Sequence, residues 1–282
     1  MPELPEVETI ARSLRNPAQW LWHEQVGMNA RPGIVGRTIG SVQVLWERSI
    51  ATPTPLEFQT RLVGQTVLGV ERRGKFIVII LSTDELLIHL RMSGDLRVEP
   101  QSTQRLLHDR LEICFSDGMK LAFNDTRKFG RAWLVTERDE VIHDLGPEPF
   151  DPALTAEVLY QRFHSSRRAI KTALLDQSVI AGVGNIYSDE ALFLAGLHPS
   201  RPACDVTQAQ AEVLLAGIRS VMEEGIRRNG ASIDWVYRGG DFQNYFKVYQ
   251  RTGDPCQVCG TPIVRRVIGQ RSSHFCPHCQ PE

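Results

Sequence analysis

With 282 residues, of which 42% are apolar and 23% charged, the chain is long enough for the core of one large domain or two ordinary ones. A formal net charge of −1 does not point to a nucleic-acid partner, and no apolar run approaches the roughly 18 residues that span a membrane. The acidic start lacks the basic and then apolar segments of a secretory signal, so the sequence predicts a cytoplasmic protein.

Residues 4–15 predict a helix, because apolar residues recur at helical spacing from Leu4 to Leu14. Pro5 suits the first helical position, and the carboxylates of Glu6 and Glu8 suit the positive end of the helix dipole. Residues 16–33, in contrast, show no clear period and resemble an insertion to which we assign no role.

The segment from about residue 38 to residue 135 predicts an antiparallel sandwich or barrel. It carries the β patterns TIGSVQVLWE, TVLGVERRGKFIVIIL, ELLIHLRMSG, LEICFSDGMKLAFND and RAWLV, and turn pairs such as Asp117-Gly118 separate them. A proline-rich linker follows at 146–152, and helical patterns then run over 155–164, 168–176, 186–196 and 207–228.

The longest of these helices has the clearest end signals. Thr207 and Gln210 form a predicted capping box, and Asn229-Gly230 is a stop signal. Residues 231–246 are typical of a loop, and short strands are expected after about residue 247.

Four cysteines near the end have the spacing of a metal site: Cys256-x-x-Cys259, sixteen residues, Cys276-x-x-Cys279. This spacing is typical of a zinc site with four cysteine ligands, whereas two disulfides would be unusual in a cytoplasmic chain. Four thiolates complete the shell of the ion, so the predicted zinc is structural. The segment RRVIGQR between the pairs would present its arginines on a hairpin as a phosphate grip.

A glycine-rich turn lies before the third helix of the second half, in GVGN (182–185). Asn185 has the chemistry of an N-cap, and glycines followed by a helix start can bind an anion. The alternative is a simple turn between packed helices, so the turn alone is a weak signal.

Several motifs together resemble the formamidopyrimidine-DNA glycosylase and endonuclease VIII family of base-excision repair enzymes. In chain order they are PELPEVET, RRGKF, HLRMSG, DTRKFG, GVGNIY and the cysteine finger ending in QRSSHFC, and they extend from residue 2 to residue 279. The opening motif together with RRGK is similar to the formamidopyrimidine branch.

The resemblance implies an α+β fold with an N-terminal antiparallel β-sandwich flanked by helices and a C-terminal helix–two-turns–helix domain with a four-cysteine zinc finger. The expected boundaries are 1–145 for the catalytic sandwich domain, 146–154 for the linker, 155–245 for the helical DNA-binding domain and 246–282 for the finger.

The opening residues can then be interpreted chemically. Removal of Met1 would leave Pro2 as a free secondary amine, and a chain-terminal amine loses its proton at roughly pH 8 against roughly 10.4 for lysine. The resemblance implies that Pro2 attacks the sugar to form a Schiff base and that Glu3 is the acid–base partner, with Lys75 also in the catalytic group. It further assigns supporting proton-transfer roles to Glu6 and Arg271.

An enzyme that acts on a base must take the base out of the stack. The resemblance implies that Met92, Arg127 and Phe129 fill the gap that is left, and that the remaining contacts to DNA come from His108 and Asn185, with phosphate grips at Lys75 and Arg271. The expected partner is double-stranded DNA carrying oxidised bases or abasic sites, and the expected state is a monomer.

The expected reaction is excision of oxidised purines, such as 8-oxoguanine and formamidopyrimidines, followed by β- and δ-elimination. Two alternatives stay open. The loop 231–246 is short for the formamidopyrimidine branch, which allows an endonuclease VIII-like preference for oxidised pyrimidines. A protein that binds damaged DNA without catalysis is the other, although the leading Pro-Glu favours an enzyme; a generic zinc-ribbon module would leave the first 150 residues unexplained.

Overall fold

The computed structural model describes residues 1–15, 33–232 and 239–282. Most of the insertion expected at 16–33, and the middle of the loop expected at 231–246, lie outside the described residues. The described chain divides into two compact units: the first comprises residues 1–2 and 6–143, and the second comprises residues 3–5, 144–232 and 239–282. The finer domain boundaries given above stay a prediction.

The first unit is built mainly of strands. Helix α1 (Leu4–Arg15) leads into it, and its further elements are β1 (Ile39–Val44), β2 (Ile50–Thr52), α2 (Pro55–Leu62), β3 (Val67–Arg73), β4 (Phe76–Leu81), β5 (Glu85–His89), β6 (Gly94–Pro100), β7 (Asp109–Phe115), β8 (Met119–Asp125), β9 (Arg131–Val135) and α3 (Asp139–Ile142).

These strands form two sheets, in the orders β1-β7-β8-β6 and β2-β9-β5-β4-β3. Strand β2 runs parallel to β9, and the other described pairs are antiparallel. One apolar cluster joins side chains of both sheets with the buried face of α1, including Val7, Ile10 and Leu14. The predicted sandwich is therefore confirmed, and α1 closes part of its core.

Four elements of this unit were not predicted: β2, α2, β6 and α3. Helix α2 is only eight residues long and lies within a β-rich stretch, which hides its pattern. Its start signal is nevertheless present in the sequence, because Pro55 occupies the first turn and the Thr54 hydroxyl accepts a hydrogen bond from the Glu57 amide at 3.4 Å.

The second unit contains the predicted helices and the cysteine-bearing segment. Its elements are α4 (Ala156–His164), α5 (Ile170–Leu175), α6 (Asn185–Leu194), α7 (Gln208–Arg227), β10 (Val264–Ile268) and β11 (Arg271–Phe275). The capping box of Thr207 and Gln210 is present at the start of α7. None of the helices in the described ranges has both the length and the apolar character to cross a membrane.

Strands β10 and β11 form the hairpin expected for RRVIGQR. Its turn residues Gly269 and Gln270 have φ of 55° and 63°, which matches the tight turn of a hairpin with a two-residue loop. The small core of this region contains Phe193, Val248, Cys256, Ile263 and Cys276. Two of its five members are thus candidate metal ligands, so the local fold depends on the cysteine site.

Candidate active site and nucleic-acid interface

The carboxylate of Glu3 lies at the start of helix α6. It is 2% exposed, and its two oxygens accept hydrogen bonds from the Ile186 amide at 3.0 Å and the Tyr187 amide at 3.4 Å. A helix start offers free N–H groups and a positive dipole end, so it is a favourable position for an anion. The anion that these amides hold is therefore a side chain of the protein itself.

The glycine-rich turn makes room for this arrangement. A Cβ atom on Gly184 would lie 2.2 Å from the Glu3 carboxyl carbon, and one on Gly182 would lie 2.6 Å from a methyl carbon of Leu4. Gly182 also has φ of +95°, a conformation that favours glycine, and its carbonyl accepts a hydrogen bond from the Leu4 amide at 3.1 Å. Both glycines are needed for the close approach of the N-terminal segment.

The prediction that Asn185 caps α6 is wrong. Gly184 is the N-cap residue, and Asn185 is the first residue inside the helix. A side chain at the cap position would collide with Glu3, so the capping hydrogen bonds come from that carboxylate instead. The side-chain Oδ1 of Asn185 is buried and has no hydrogen-bond partner among the described residues.

Pro2 directly precedes Glu3 in the chain and is itself buried, whereas Met1 is 46% exposed. The nitrogen of Pro2 is part of a peptide bond as long as Met1 is attached, and it becomes an amine only after Met1 is removed. Glu6 is 2% exposed and lies in the first turn of α1.

Helix α6 itself contributes the carboxylate of Asp189, which joins three elements of the second unit. Lys171 of α5 is fully buried and donates hydrogen bonds to Asp189 at 2.5 Å and to the Asn185 carbonyl at 2.9 Å. The other oxygen of Asp189 accepts from the backbone amide of His274 on β11 at 3.0 Å, and the His274 ring lies 3.1 Å away. Burial lowers the pKa of Lys171, while the Asp189 carboxylate opposes that shift.

The next residue, Glu190, holds the start of the cysteine-bearing segment. Its carboxylate accepts from the amides of Lys247 at 2.8 Å, Val248 at 3.0 Å and Tyr249 at 2.8 Å. Burial raises the pKa of Glu190, and the three amide hydrogen bonds oppose that rise. The adjacent acids Asp189 and Glu190 of the buried helix α6 therefore hold strand β11 and the segment 247–249 that leads into the cysteine-bearing region.

The cysteines fit a zinc ion. The four sulfur atoms of Cys256, Cys259, Cys276 and Cys279 all lie within 4.8 Å of one another, and three of the separations are 3.9, 3.5 and 3.5 Å. Four sulfurs at the usual zinc–sulfur distance would be about 3.8 Å apart at the corners of a tetrahedron. Within each pair a backbone amide donates to a cysteine sulfur at 3.4 Å, as in zinc knuckles. The protein has one structural zinc site, and these cysteines would hold the ion.

The hairpin arginines differ in their contacts. Arg265 donates to the Ser272 hydroxyl at 2.7 Å, and Arg266 pairs with Glu282. Arg271 is exposed, and within the described residues its guanidinium has neither an ion pair nor a hydrogen bond. It is the hairpin arginine that is available to bind an anion.

In the first unit, the predicted gap-filling side chains lie on two turns. Met92 is partly exposed on the turn between β5 and β6, and Arg127 and Phe129 lie on the turn between β8 and β9. Phe129 is 49% exposed, and the Arg127 guanidinium lies 5.2 Å from its ring centre. A half-exposed phenylalanine on a turn does not belong to the core, which supports a role at the surface.

Lys75 lies in the β3–β4 turn of the same unit and is 6% exposed. Close by, burial lowers the pKa of His89 to about 3, and the positive charges of Arg91 and Lys75 add to the effect. Burial and the neighbouring Arg131 both lower the pKa of Arg91. Cations therefore gather at one end of β4, β5 and β9, which suits an anionic ligand.

His108 lies just before β7. An Arg110 nitrogen is 3.2 Å from its Nδ1, and because arginine can only donate, Nδ1 accepts and Nε2 carries the ring proton. The ring can then donate one hydrogen bond to an oxygen such as that of a phosphate.

Sequence reasoning missed the buried groups Lys171, Asp189, Glu190 and His89. A signal existed for two of them, because the pair Asp189-Glu190 stands in a helix whose residues Ile186–Phe193 are all buried. Charged residues in so apolar a stretch are rarely buried without partners. The other two carry no comparable mark in the sequence.

Comparisons with known proteins agree with this architecture. Residues 23–132 match the formamidopyrimidine-DNA glycosylase N-terminal domain, residues 145–236 match the H2TH domain of formamidopyrimidine-DNA glycosylase, and residues 253–281 match the zinc finger found in FPG and IleRS.

The matches to individual proteins cover the full length. The chain is 40% identical over 289 residues to the formamidopyrimidine-DNA glycosylase of Geobacillus kaustophilus, with 99% of this chain and 100% of the relative covered. It is 42% identical over 291 residues to that of an Exiguobacterium strain, with 99% of each covered.

Solved structures also match the chain over its full length. A MutM in complex with DNA containing carbocyclic 8-oxo-G has a TM-score of 0.88 at 32% identity, with both chains fully covered. The Lactococcus lactis Fpg in complex with DNA containing an abasic site has a TM-score of 0.86 at 32% identity, covering 99% of this chain and 100% of that one. The chain belongs to the formamidopyrimidine-DNA glycosylase family.

Proposed function

We propose that the protein is a bifunctional DNA glycosylase and abasic-site lyase that excises oxidised purines, such as 8-oxoguanine and formamidopyrimidines, from duplex DNA. Membership in the glycosylase family over the whole chain supports the reaction class. The observation that carries the assignment of the chemistry is the buried Glu3 carboxylate, which the α6 amides hold one residue after Pro2.

In the proposed reaction the Pro2 nitrogen attacks C1′ of the damaged nucleotide once Met1 has been removed. A bond forms between that nitrogen and C1′, and the bond from C1′ to the base breaks, so the base leaves with the electron pair. The Pro2 nitrogen releases its proton to the Glu3 carboxylate, which passes the proton to the sugar ring oxygen. The bond from that oxygen to C1′ then breaks, the ring opens and an iminium remains on Pro2, while the departing base takes a proton from water. Loss of the 3′ phosphate by β-elimination and of the 5′ phosphate by δ-elimination then opens the strand.

Glu3 is suited to proton transfer because two amide hydrogen bonds fix the position of its carboxylate. We also assign Lys75, which is buried in the β3–β4 turn, to the catalytic group. We assign supporting roles in proton transfer to Glu6, which is buried in α1, and to Arg271, whose guanidinium is unpaired among the residues described.

DNA binding would use side chains of both units. Met92, Arg127 and Phe129 fill the space of the extruded nucleotide, for which an apolar wedge and an arginine that reaches a base edge are suitable. His108 and Arg271 donate to phosphates, and Asn185 adds its side-chain amide. We place the protein in the cytoplasm, acting as a monomer on chromosomal DNA.

Borohydride trapping tests this proposal. The protein is incubated with duplexes that carry 8-oxoguanine, an oxidised pyrimidine or an abasic site, and borohydride is added to reduce the iminium to a stable adduct. We expect a covalent adduct and strand cleavage, strongest among damaged bases for 8-oxoguanine. Both should be lost in Pro2→Gly and kept in the control Pro152→Gly, which changes an exposed proline.

Other outcomes lead to different conclusions. An adduct chiefly with the pyrimidine lesion would indicate endonuclease VIII-like specificity, and binding without an adduct on any substrate would indicate a non-catalytic protein. Mass spectrometry of the purified protein checks the first step, because retained Met1 should abolish the adduct.

A further inference from the structure

Hydrogen bonds join the two turns that carry the proposed gap-filling side chains. The Met92 turn comprises residues 90–94, and the Phe129 turn comprises residues 125–130. The Ser93 hydroxyl of the first turn donates a short hydrogen bond to Asp125 Oδ1 of the second. The same Ser93 oxygen accepts from the Arg127 amide at 3.0 Å.

Asp125 organises the second turn with the same carboxylate. Its Oδ1 accepts from the Arg127 amide at 3.1 Å, and its Oδ2 accepts from the Gly130 amide at 2.7 Å. The side chain is 1% exposed, and Ser93 is 5% exposed. Because an unpaired buried carboxylate or amide is costly, the two turns cannot separate without losing these bonds or admitting water.

Both turns also pack on one aromatic ring. A Cβ atom added to Gly94 would lie 2.9 Å from the ring of Phe123, and one added to Gly130 would lie 2.3 Å from it. Gly94 pairs with Asp125 in the β6–β8 register, which places the two turns side by side at one end of the sheet. The glycine that ends each turn is therefore required for both to approach the same ring.

We propose that Ser93 and Asp125 couple the Met92 turn to the Phe129 turn, so that Met92, Arg127 and Phe129 enter the duplex as one body. Ser93 and Asp125 are positioning residues, because they act through the backbone of the gap-filling side chains. The inference rests on the gap-filling role given to those three side chains under the proposed function.

A measurement without DNA tests the coupling itself. Ser93→Ala removes a bond to Asp125 and Arg127 but touches no acceptor of the Gly130 amide. If the turns are coupled, hydrogen exchange measured by NMR should become about 10-fold faster at Gly130 as well as at Arg127. Ser116→Ala, which removes a hydroxyl hydrogen bond to the Thr38 carbonyl, is the matched control and should leave both amides unchanged. Faster exchange at Arg127 alone would overturn the proposal.

A double-mutant cycle tests the functional consequence. Excision of 8-oxoguanine is measured for Met92→Ala, Phe129→Ala and the double variant, first with Ser93 present and then in Ser93→Ala. With Ser93 present, the excision rate of the double variant should be little lower than that of the slower single variant. It should exceed the rate expected from multiplying the two single losses by about 10-fold. In Ser93→Ala the two losses should multiply.

Multiplicative losses in both backgrounds, or an equal departure in both, would overturn the coupling. An inactive parent protein would instead contradict the proposed function, and the exchange measurement would still decide whether the turns are coupled. Ser93→Ala removes one hydroxyl group, so the test does not require an Asp125 variant to fold.

Discussion

The two units hold their candidate functional groups by different physical means. In the first unit, the turns of Met92 and Phe129 rest on an apolar core, and one carboxylate, Asp125, organises them by bonding a hydroxyl and backbone amides. In the second unit, helix α6 lies among charges: it holds the Glu3 carboxylate at its start and contributes Asp189 and Glu190 from its interior.

This difference indicates which kinds of substitution should destabilise each unit. Behind the first unit's turns, the Asp125 carboxylate has neutral hydrogen-bond donors and two glycines pack closely on Phe123, so small changes of volume should disturb the turns. Behind the second unit's groups, buried charges are stable only while their partners are present, and the finger also depends on a metal ion. Loss of a charge partner or of zinc should therefore affect the second unit far more than the first.

Zinc removal should give the largest effect. Structural zinc contributes about 10–16 kcal/mol to the folding of isolated finger peptides, so chelation should disorder the hairpin that carries Arg271. We expect a loss of affinity for duplex DNA of more than about 100-fold by fluorescence anisotropy, beyond that of Arg271→Ala. Affinity unchanged after zinc removal, with metal loss verified by mass spectrometry, would contradict the role given to Arg271.

Removal of the buried Asp189 carboxylate should follow. Asp189→Ala leaves the charge of Lys171 buried without its partner, and breaking such a pair costs about 3–5 kcal/mol. We expect this loss in the free energy of unfolding from urea titration. The control Asp205→Ala, at an exposed site, should change it by less than about 0.5 kcal/mol.

Combining Lys171→Met with Asp189→Leu sharpens the comparison. A paired apolar replacement should recover much of the lost stability, because no charge stays unpaired. If the double variant is as unstable as Asp189→Ala, packing and the hydrogen bond to His274 outweigh the charge of Lys171, and the contrast between the units weakens.

A methyl group at Gly184 should disturb catalysis next. Gly184→Ala would displace the Glu3 carboxylate, from which the new Cβ would lie 2.2 Å, and loss of a positioned acid–base group lowers rates by about 100-fold or more. Single-turnover excision of 8-oxoguanine measures this. Gly69→Ala is the control, because its Cβ would meet Ile80 at an ordinary 3.5 Å. Equal excision rates for Gly184→Ala and Gly69→Ala would show that catalysis does not depend on the position of the Glu3 carboxylate beside Gly184.

The smallest expected effect is a pH dependence in the first unit. The pKa of His89 is about 3 in the folded protein, against an ordinary value near 6.5, so the unfolded chain binds the extra proton between these values. The stability contributed by the neutral ring is complete above about pH 6.5 and falls by about 1.4 kcal/mol per pH unit as the pH decreases toward 3. In urea titrations between pH 6.5 and 4.5, the free energy of unfolding of His89→Gln should fall less steeply with decreasing pH, by about 1.4 kcal/mol per pH unit, than that of the parent protein. The same pH dependence in both proteins would show that His89 is not the group responsible.

Several structural features could be predicted because their cause is local. The capping box of Thr207 and Gln210 and the helix that follows it depend on neighbours three residues apart. The β10–β11 hairpin follows from its turn and strand residues in the same way. Helix α2 shows the limit, because its cap signal was present but a short helix in a β-rich region has too few residues for a periodic pattern.

The cap of α6 could not be predicted, because its partner is distant in sequence. Asn185 has good capping chemistry, but the position before it must be glycine to admit Glu3, which lies more than 180 residues earlier in the chain. The same reason hides Lys171, whose partner Asp189 becomes apparent only when two helices pack together.

The sequence by itself determined the family, the two-part α+β architecture, the cysteine site and the list of candidate residues, since motifs and spacings record these directly. Tertiary structure alone decided which anion occupies the start of α6, which hairpin arginine has no partner among the described residues, and that Ser93 and Asp125 join two turns. Those features depend on distances between segments far apart in the chain, and such distances are set by packing and by the need to pair every buried polar group.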